Sequence, residues 1–237
     1  MKRNSFFLLL LLGILFSSCE NSRNKKTIKE YFIDYSNKSV LDSLIKAIPH
    51  SNDTIFLGFI IGMTKSKYEN HIQKLRNEGK TVSYSKSNRF SNMAGTFELG
   101  AGYTFKTSIS TEISGKTLTG EGQYFLEPVY NNNGNLMKLN ILPIEEWNGD
   151  YGYYKPNWLV TKIKENSDRF ENESLKQALI DNEFIDKDDF IRQKGNLVIY
   201  ETTVSVNYID LKTLLLELLI KKTEKEIIKK ENKDIKF

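Results

Sequence analysis

The chain has 237 residues, 39% hydrophobic and 12% aromatic, with 34 Lys+Arg against 30 Asp+Glu and a formal charge of +4. That is enough apolar material for one packed domain, and the charge is too balanced for a nucleic-acid partner, which needs a clustered basic face. A single cysteine excludes an intrachain disulfide, so packing must supply the stability.

Lys2 and Arg3 open the N-terminus, and Phe6 to Phe16 is an apolar run broken only by Gly13. The run is about half of the ~20 residues a membrane-spanning helix needs. Phe16-Ser17-Ser18-Cys19 then puts small residues before a cut, the grammar of an export signal. The pattern resembles a bacterial lipoprotein signal, with Phe16 where that family usually has Leu. The resemblance implies that residues 1–18 are a signal peptide and that the Cys19 thiol receives a diacylglycerol and becomes the first mature residue. Acyl chains contribute ~0.8 kcal/mol per buried CH₂, and two or more hold a protein stably at a membrane. Removing residues 1–18 lowers Lys+Arg from 34 to 32 against 30 acids, a mature charge near +2. Residues 19–26 read as a lipidated tether with nothing to pack. Glu20 is the lone acid after the cysteine, followed by basic residues, and no Asp follows Cys19. That points to the outer membrane, facing the periplasm.

Thr27-x-x-Glu30 has the form of a capping box, and Ile28, Tyr31, Phe32 and Tyr35 follow at helical spacing. Ser39-x-x-Asp42 repeats the cap before a stripe of Val40, Leu41, Leu44, Ile45 and Ile48 that Pro49 ends. Thr54 to Ile61 is continuously β-branched, aromatic or apolar and predicts a central strand. Gly62-Met63 turns the chain, Thr64 caps a helix with Tyr68, His71, Ile72 and Leu75 on one face, and Gly79 stops it. Strand, Gly62-Met63-Thr64, then helix resembles the opening of the small outer-membrane assembly lipoproteins of the SmpA/OmlA type, over about a tenth of the chain. Those proteins continue with Leu-Gly-x-Pro, where this chain reads Leu75-Arg76-Asn77-Glu78. The resemblance implies a small α+β binding module.

The middle is β-rich. Val82 and Tyr84 alternate with polar neighbours, and Phe97, Leu99, Ala101, Tyr103, Phe105 and Ile109 keep period two, with Gly100 and Gly102 marking a bulge. A strand over Lys116 to Tyr130 turns at Asn131 to Asn135, where Asn-Gly accepts a tight hairpin, and returns through Met137, Leu139 and Ile141 to Pro143. Helical spacing resumes at Trp158, Leu159 and Ile163 and again over Ser174 to Ile180. Asp181 to Gly195 reads as an acidic loop region, Val198 to Tyr208 as one long alternating strand. Asp210 caps a final helix that packs through Leu211, Leu214, Leu215, Leu218 and Leu219. The expectation is an α+β domain over residues 27–237. It has a mainly antiparallel sheet with helices packed on one face, two short N-terminal helices and a long C-terminal one.

No catalytic motif stands out. His50 and His71 are the only histidines, with no Cys or carboxylate at metal-ligand spacing beside them, so no metal or cofactor is expected. A Ser-His-Asp hydrolase would have to recruit one of them, and no Gly-x-Ser-x-Gly elbow exists. Gly115-Lys116-Thr117 ends like a phosphate loop but stands in a hairpin context. Asp181, Glu183, Asp186, Asp188 and Asp189 lack the central glycine of a calcium loop and read as a solvated face. The most suggestive patch is Trp147, Tyr151, Tyr153 and Tyr154 with Trp158 beyond, whose rings either cover the sheet end or bind a partner or sugar. The functional expectation is a lipid-anchored envelope protein that binds an envelope protein or glycan without catalysis. The alternative is a glycan-binding or glycan-cleaving protein that uses the aromatic patch and two scattered carboxylates.

Overall fold

Helix α1 shows how the local chemistry selects its boundary. The computed structural model describes residues 33–92, 95–113, 115–146, 159, 162–163, 172–202 and 205–234. In it α1 runs Lys38–Ala47, and Asn37 rather than Ser39 is its cap, accepting from the Ser39 N–H. Asn ranks with Ser as an N-cap, and here it stands one residue ahead of the first helical turn. Ile48 closes the helix before Pro49, its N–H still reaching the Leu44 carbonyl. The helix expected from Thr27 lies outside the described residues except at its end, where Tyr35 is buried in a turn.

Thr54 to Ile61 is not a central strand. Thr54 and Ile60 form an isolated bridge around a 3-10 turn at Phe56–Gly58, and the Ile55 N–H donates to the Phe59 carbonyl at 2.7 Å. Leu57 and Gly58 take φ of 56° and 81°, a left-handed conformation that glycine adopts freely and that reverses an extended chain. The run is apolar because the loop is buried. Ile55, Phe59 and Ile61 share a core with Tyr68, Ile72 and Leu75 of helix α2, Lys65–Asn77. Thr64 caps α2 as expected, accepting from the Lys67 N–H, and Gly79 at φ 78° follows its end.

Seven antiparallel strands make one sheet. They are β1 (Thr81–Asn92), β2 (Gly95–Ile113), β3 (Lys116–Tyr130), β4 (Leu136–Glu146), β5 (Ile191–Lys194), β6 (Leu197–Glu201) and β7 (Val206–Asp210). Their order is β1-β2-β3-β4-β7-β6-β5. The expected hairpin joins β3 to β4, with the Asn131 side chain accepting from the Asn133 and Asn135 N–H groups and Gly134 at φ 73°. The expected bulge is also present: register shifts between Ser85 and Arg89 lie opposite Gly100 and Gly102. A Cβ on Gly102 would stand 2.5 Å from the Phe125 ring, so that close approach requires glycine.

Val198 to Tyr208 is two strands. The Thr202 N–H donates to the Ser205 carbonyl at 2.8 Å and turns β6 into β7. The turn also flips the parity of the pattern. Val198 pairs with Ile209 and Tyr200 with Asn207, whereas Ile199 pairs with Tyr208. Every residue of β7 is buried, so both faces carry apolar groups and the alternation could not reveal the turn. Strand β5 falls where an acidic loop was expected.

Leu197 and Tyr208 belong to the core under α2, and their neighbours Val198 and Ile209 to a second core. Successive residues of a strand face opposite ways, so helices cover both faces. The second core takes in α1, α3 (Glu173–Asp181) and the long α4 (Leu211–Asp234), which share one face. Helix α2 and the Ile55–Ile61 loop cover the other. Among the described residues no helix is long and apolar enough to cross a membrane.

Candidate functional site: a tyrosine cleft beside helix α2

Tyr68 occupies the buried stripe of α2 with Ile72 and Leu75. Glu69 stands one position round the helix, on the flank, and Lys65 one turn before it. The sheet brings tyrosines to meet them. Tyr84 on β1 lies opposite Tyr103 on β2, Tyr103 opposite Leu126 on β3, and Tyr130 ends β3. These residues, with Glu127 and Pro128, line a cleft of about 280 Å³.

The Tyr103 hydroxyl donates to Glu69 Oε2 at 2.5 Å. That hydrogen bond is the main reason the Tyr103 phenol is pushed up to about 12. The Tyr68 ring stacks on Phe59 with centroids 4.6 Å apart and meets the Tyr130 ring edge-on at 6.1 Å. Tyr68 is 0% exposed. Its hydroxyl and that of Tyr130 are buried and have no hydrogen-bond partner among the described residues. Burial raises both phenols, and the Glu69 charge adds to the shift in each. A buried polar group without a partner costs roughly 1–3 kcal/mol, so two in one cleft are an unusual burden for packing alone to carry. Tyr84 stands at the mouth, 55% exposed, its ring 5.4 Å from that of Tyr103 and inclined at 63°. Glu127, also exposed, accepts from Asn140 Nδ2 at 2.8 Å.

The two histidines serve the fold. His71 Nε2 donates to the Leu57 carbonyl at 2.9 Å, since that carbonyl can only accept, and the ring packs on the edge of Phe59. His50 Nδ1 lies 2.8 Å from Oδ2 of Asp210, which is fully buried. The Asp210 carboxylate also accepts from the Ser51 N–H and from the backbone and hydroxyl of Thr213. The pairing has the form of a base and its orienting acid, but a nucleophile must face the base. The adjacent hydroxyl of Ser51 donates to Asp53 Oδ2 at 2.6 Å instead.

Gly115 turns β2 into β3, and Lys116 and Thr117 open strand β3, paired with Ile113 and Glu112. In the acidic segment the Asp186 N–H donates to Asp189 Oδ2, and Glu183 pairs with Lys225 at 2.8 Å. Among the described residues no three His, Cys, Asp or Glu side chains are placed to hold a metal ion. Trp147, Tyr151, Tyr153, Tyr154 and Trp158 lie outside the described residues, as does Cys19. Beyond that patch Leu159 and Ile163 are buried in the core beneath α2.

No family model, curated protein or solved structure matches the chain. The cleft is therefore read from its chemistry. Sequence reasoning placed Tyr68, Tyr84 and Tyr103 on core-facing positions of their elements but did not join them. The available signal was the choice of tyrosine at Tyr68 and Tyr103, inward positions where Leu, Val or Phe would pack without a hydroxyl to satisfy.

Proposed function

We propose that the protein is a lipid-anchored cell-envelope binding module with no catalysis of its own, and that the tyrosine cleft is its ligand site. The observation that carries this reading is the fully buried Tyr68 hydroxyl, which lines a cleft and has no partner among the described residues. A ligand group entering the cleft would satisfy it. The signal pattern ending at Cys19 supports the anchor, and an outer-membrane, periplasm-facing position is part of the proposal.

Two substitutions test the two halves. Tyr68→Phe removes only the hydroxyl and keeps the ring on Phe59. The folding stability of the unliganded protein should stay level or rise by up to about 1 kcal/mol, because an unsatisfied buried group is lost. Ligand affinity should fall in the same variant. A denaturant midpoint that drops by more than the equivalent of about 1 kcal/mol would show that the hydroxyl bonds to the protein itself. Cys19→Ala should abolish fatty-acid labelling and release the protein from the membrane fraction; unchanged labelling would overturn the anchor.

A further inference from the structure

We infer that the cleft takes the uncharged acetamido group of an N-acetylated amino sugar, whose carbonyl oxygen accepts from the Tyr68 and Tyr130 hydroxyls. This rests on the reading that the cleft is a ligand site, and it names the chemistry of the occupant.

A phenol both donates and accepts. Tyr103 spends its proton on Glu69, whereas the Tyr68 and Tyr130 hydroxyls have no partner among the described residues. Burial and the Glu69 charge keep both protonated, so the cleft holds two O–H donors without an acceptor. Buried donors are left orphaned more rarely than acceptors, and what the pair lacks first is a lone-pair oxygen. An ammonium has none to give. A carbonyl oxygen has two, one for each hydroxyl. An amide adds one N–H, and the Glu69 carboxylate accepts more than the single bond from Tyr103.

Charge favours a neutral acceptor. Glu69 stands against Lys65, exposed at the rim, and Arg76, exposed and acting on Tyr103. Neither cation is among the groups that shift Tyr68 or Tyr130, and Glu69 shifts both, so an anion at the hydroxyls would meet a carboxylate first. Glu127 belongs to the other face of the sheet, between Leu126 and Pro128 and bonded to Asn140. Depth favours a group with a free end. Tyr68 is 0% exposed and Tyr84 at the mouth is 55% exposed. The volume of about 280 Å³ lies just under the roughly 300–1,000 Å³ of ordinary small-molecule pockets. A short terminal group reaches a hydroxyl at that depth, where a peptide carbonyl would need room for the chain to leave on both sides. The sugar ring then rests on the exposed Tyr84 face, apolar in its body and polar at its tip.

The test is calorimetric titration of the mature protein in detergent with three trisaccharides that differ at the C2 substituent. Triacetylchitotriose carries acetamido groups, its deacetylated form ammonium groups and cellotriose hydroxyls; N-acetyl-trialanine amide supplies the same amide on a peptide. Triacetylchitotriose should bind at least about tenfold more tightly than each of the others, the order for two hydrogen bonds between uncharged groups. Tyr68→Phe and Tyr130→Phe should each weaken it about two- to tenfold and leave any cellotriose binding within about twofold. Raising the salt should change its affinity little, because the occupant is neutral. Equal or tighter binding of cellotriose or the deacetylated trimer would overturn the inference, as would tighter binding of the peptide, a steep loss with salt or no binding of triacetylchitotriose. If one of the other probes binds best and Tyr68→Phe weakens it, the cleft remains the ligand site and only its acetamido occupant is refuted. If triacetylchitotriose binds and neither phenylalanine variant weakens it, the cleft itself is refuted.

Discussion

Asp210→Ala should destabilise the fold by about 3–5 kcal/mol, the range for stripping one partner from a buried charged network. The carboxylate is fully buried and gathers four donors from two distant segments. From the linker after α1 come His50 Nδ1 and the Ser51 N–H; from the first turn of α4 come the backbone and hydroxyl of Thr213. The alanine variant loses the helix cap, worth ≈ 0.5–2 kcal/mol. It also leaves the buried Ser51 N–H without its acceptor, at a further ~1–3 kcal/mol. Asp210→Asn separates shape from charge. Asn has one acceptor oxygen where two are used, so its amide N–H₂ must face a donor, and an intermediate loss is expected. His50→Ala should cost about 1 kcal/mol or less, because half of that side chain is in solvent and exposed ion pairs contribute little. The check is a denaturant titration of the three variants and of the Asp210/His50 double mutant. A His50→Ala loss equal to that of Asp210→Ala would move the weight of the junction to the imidazole.

That junction also shows where sequence reading stops. Asp210 was legible as a helix cap because capping is local, a residue type one position ahead of an apolar stripe. Its partnership with His50 spans 160 residues and left no local trace. The same division runs through the fold. The β3–β4 hairpin and helix α2 were legible from Asn-Gly chemistry and from a stripe at i, i+4 and i+7. Thr54–Ile61 was misread because a continuous apolar run reports burial, and a buried loop and a central strand both supply it. The β6–β7 turn was hidden because a strand buried on both faces carries no inside-outside contrast. The cleft was half legible. Period two placed Tyr84 and Tyr103 inward, but only the register that sets them opposite each other, and the packing of α2 across that face, bring Glu69 to the Tyr103 hydroxyl.

Phe59→Ala should cost about 3–5 kcal/mol, as for other buried aromatic truncations. Phe59 is fully buried and touches two rings of α2, stacked on Tyr68 at 4.6 Å and edge-on to His71 at 4.7 Å. It holds the Ile55–Ile61 loop against the helix, and His71 completes the clamp through the Leu57 carbonyl. Because the two side chains share that loop, Phe59→Ala and His71→Ala should combine less than additively, with a coupling of about 0.5–3 kcal/mol. Phe59→Leu keeps an apolar filling and should cost less, about 1–2 kcal/mol. It still removes the flat surface under Tyr68, so ligand binding should weaken in a variant that remains folded. A Phe59→Ala loss below about 1 kcal/mol would mean that the loop opens without the sheet, since local opening then precedes global unfolding. Hydrogen exchange at the Ile55 and Ile61 amides distinguishes the cases. Protection close to that of the central strands is expected if the loop and α2 fold as one unit, and protection lost at the loop alone would detach the floor of the cleft from the core.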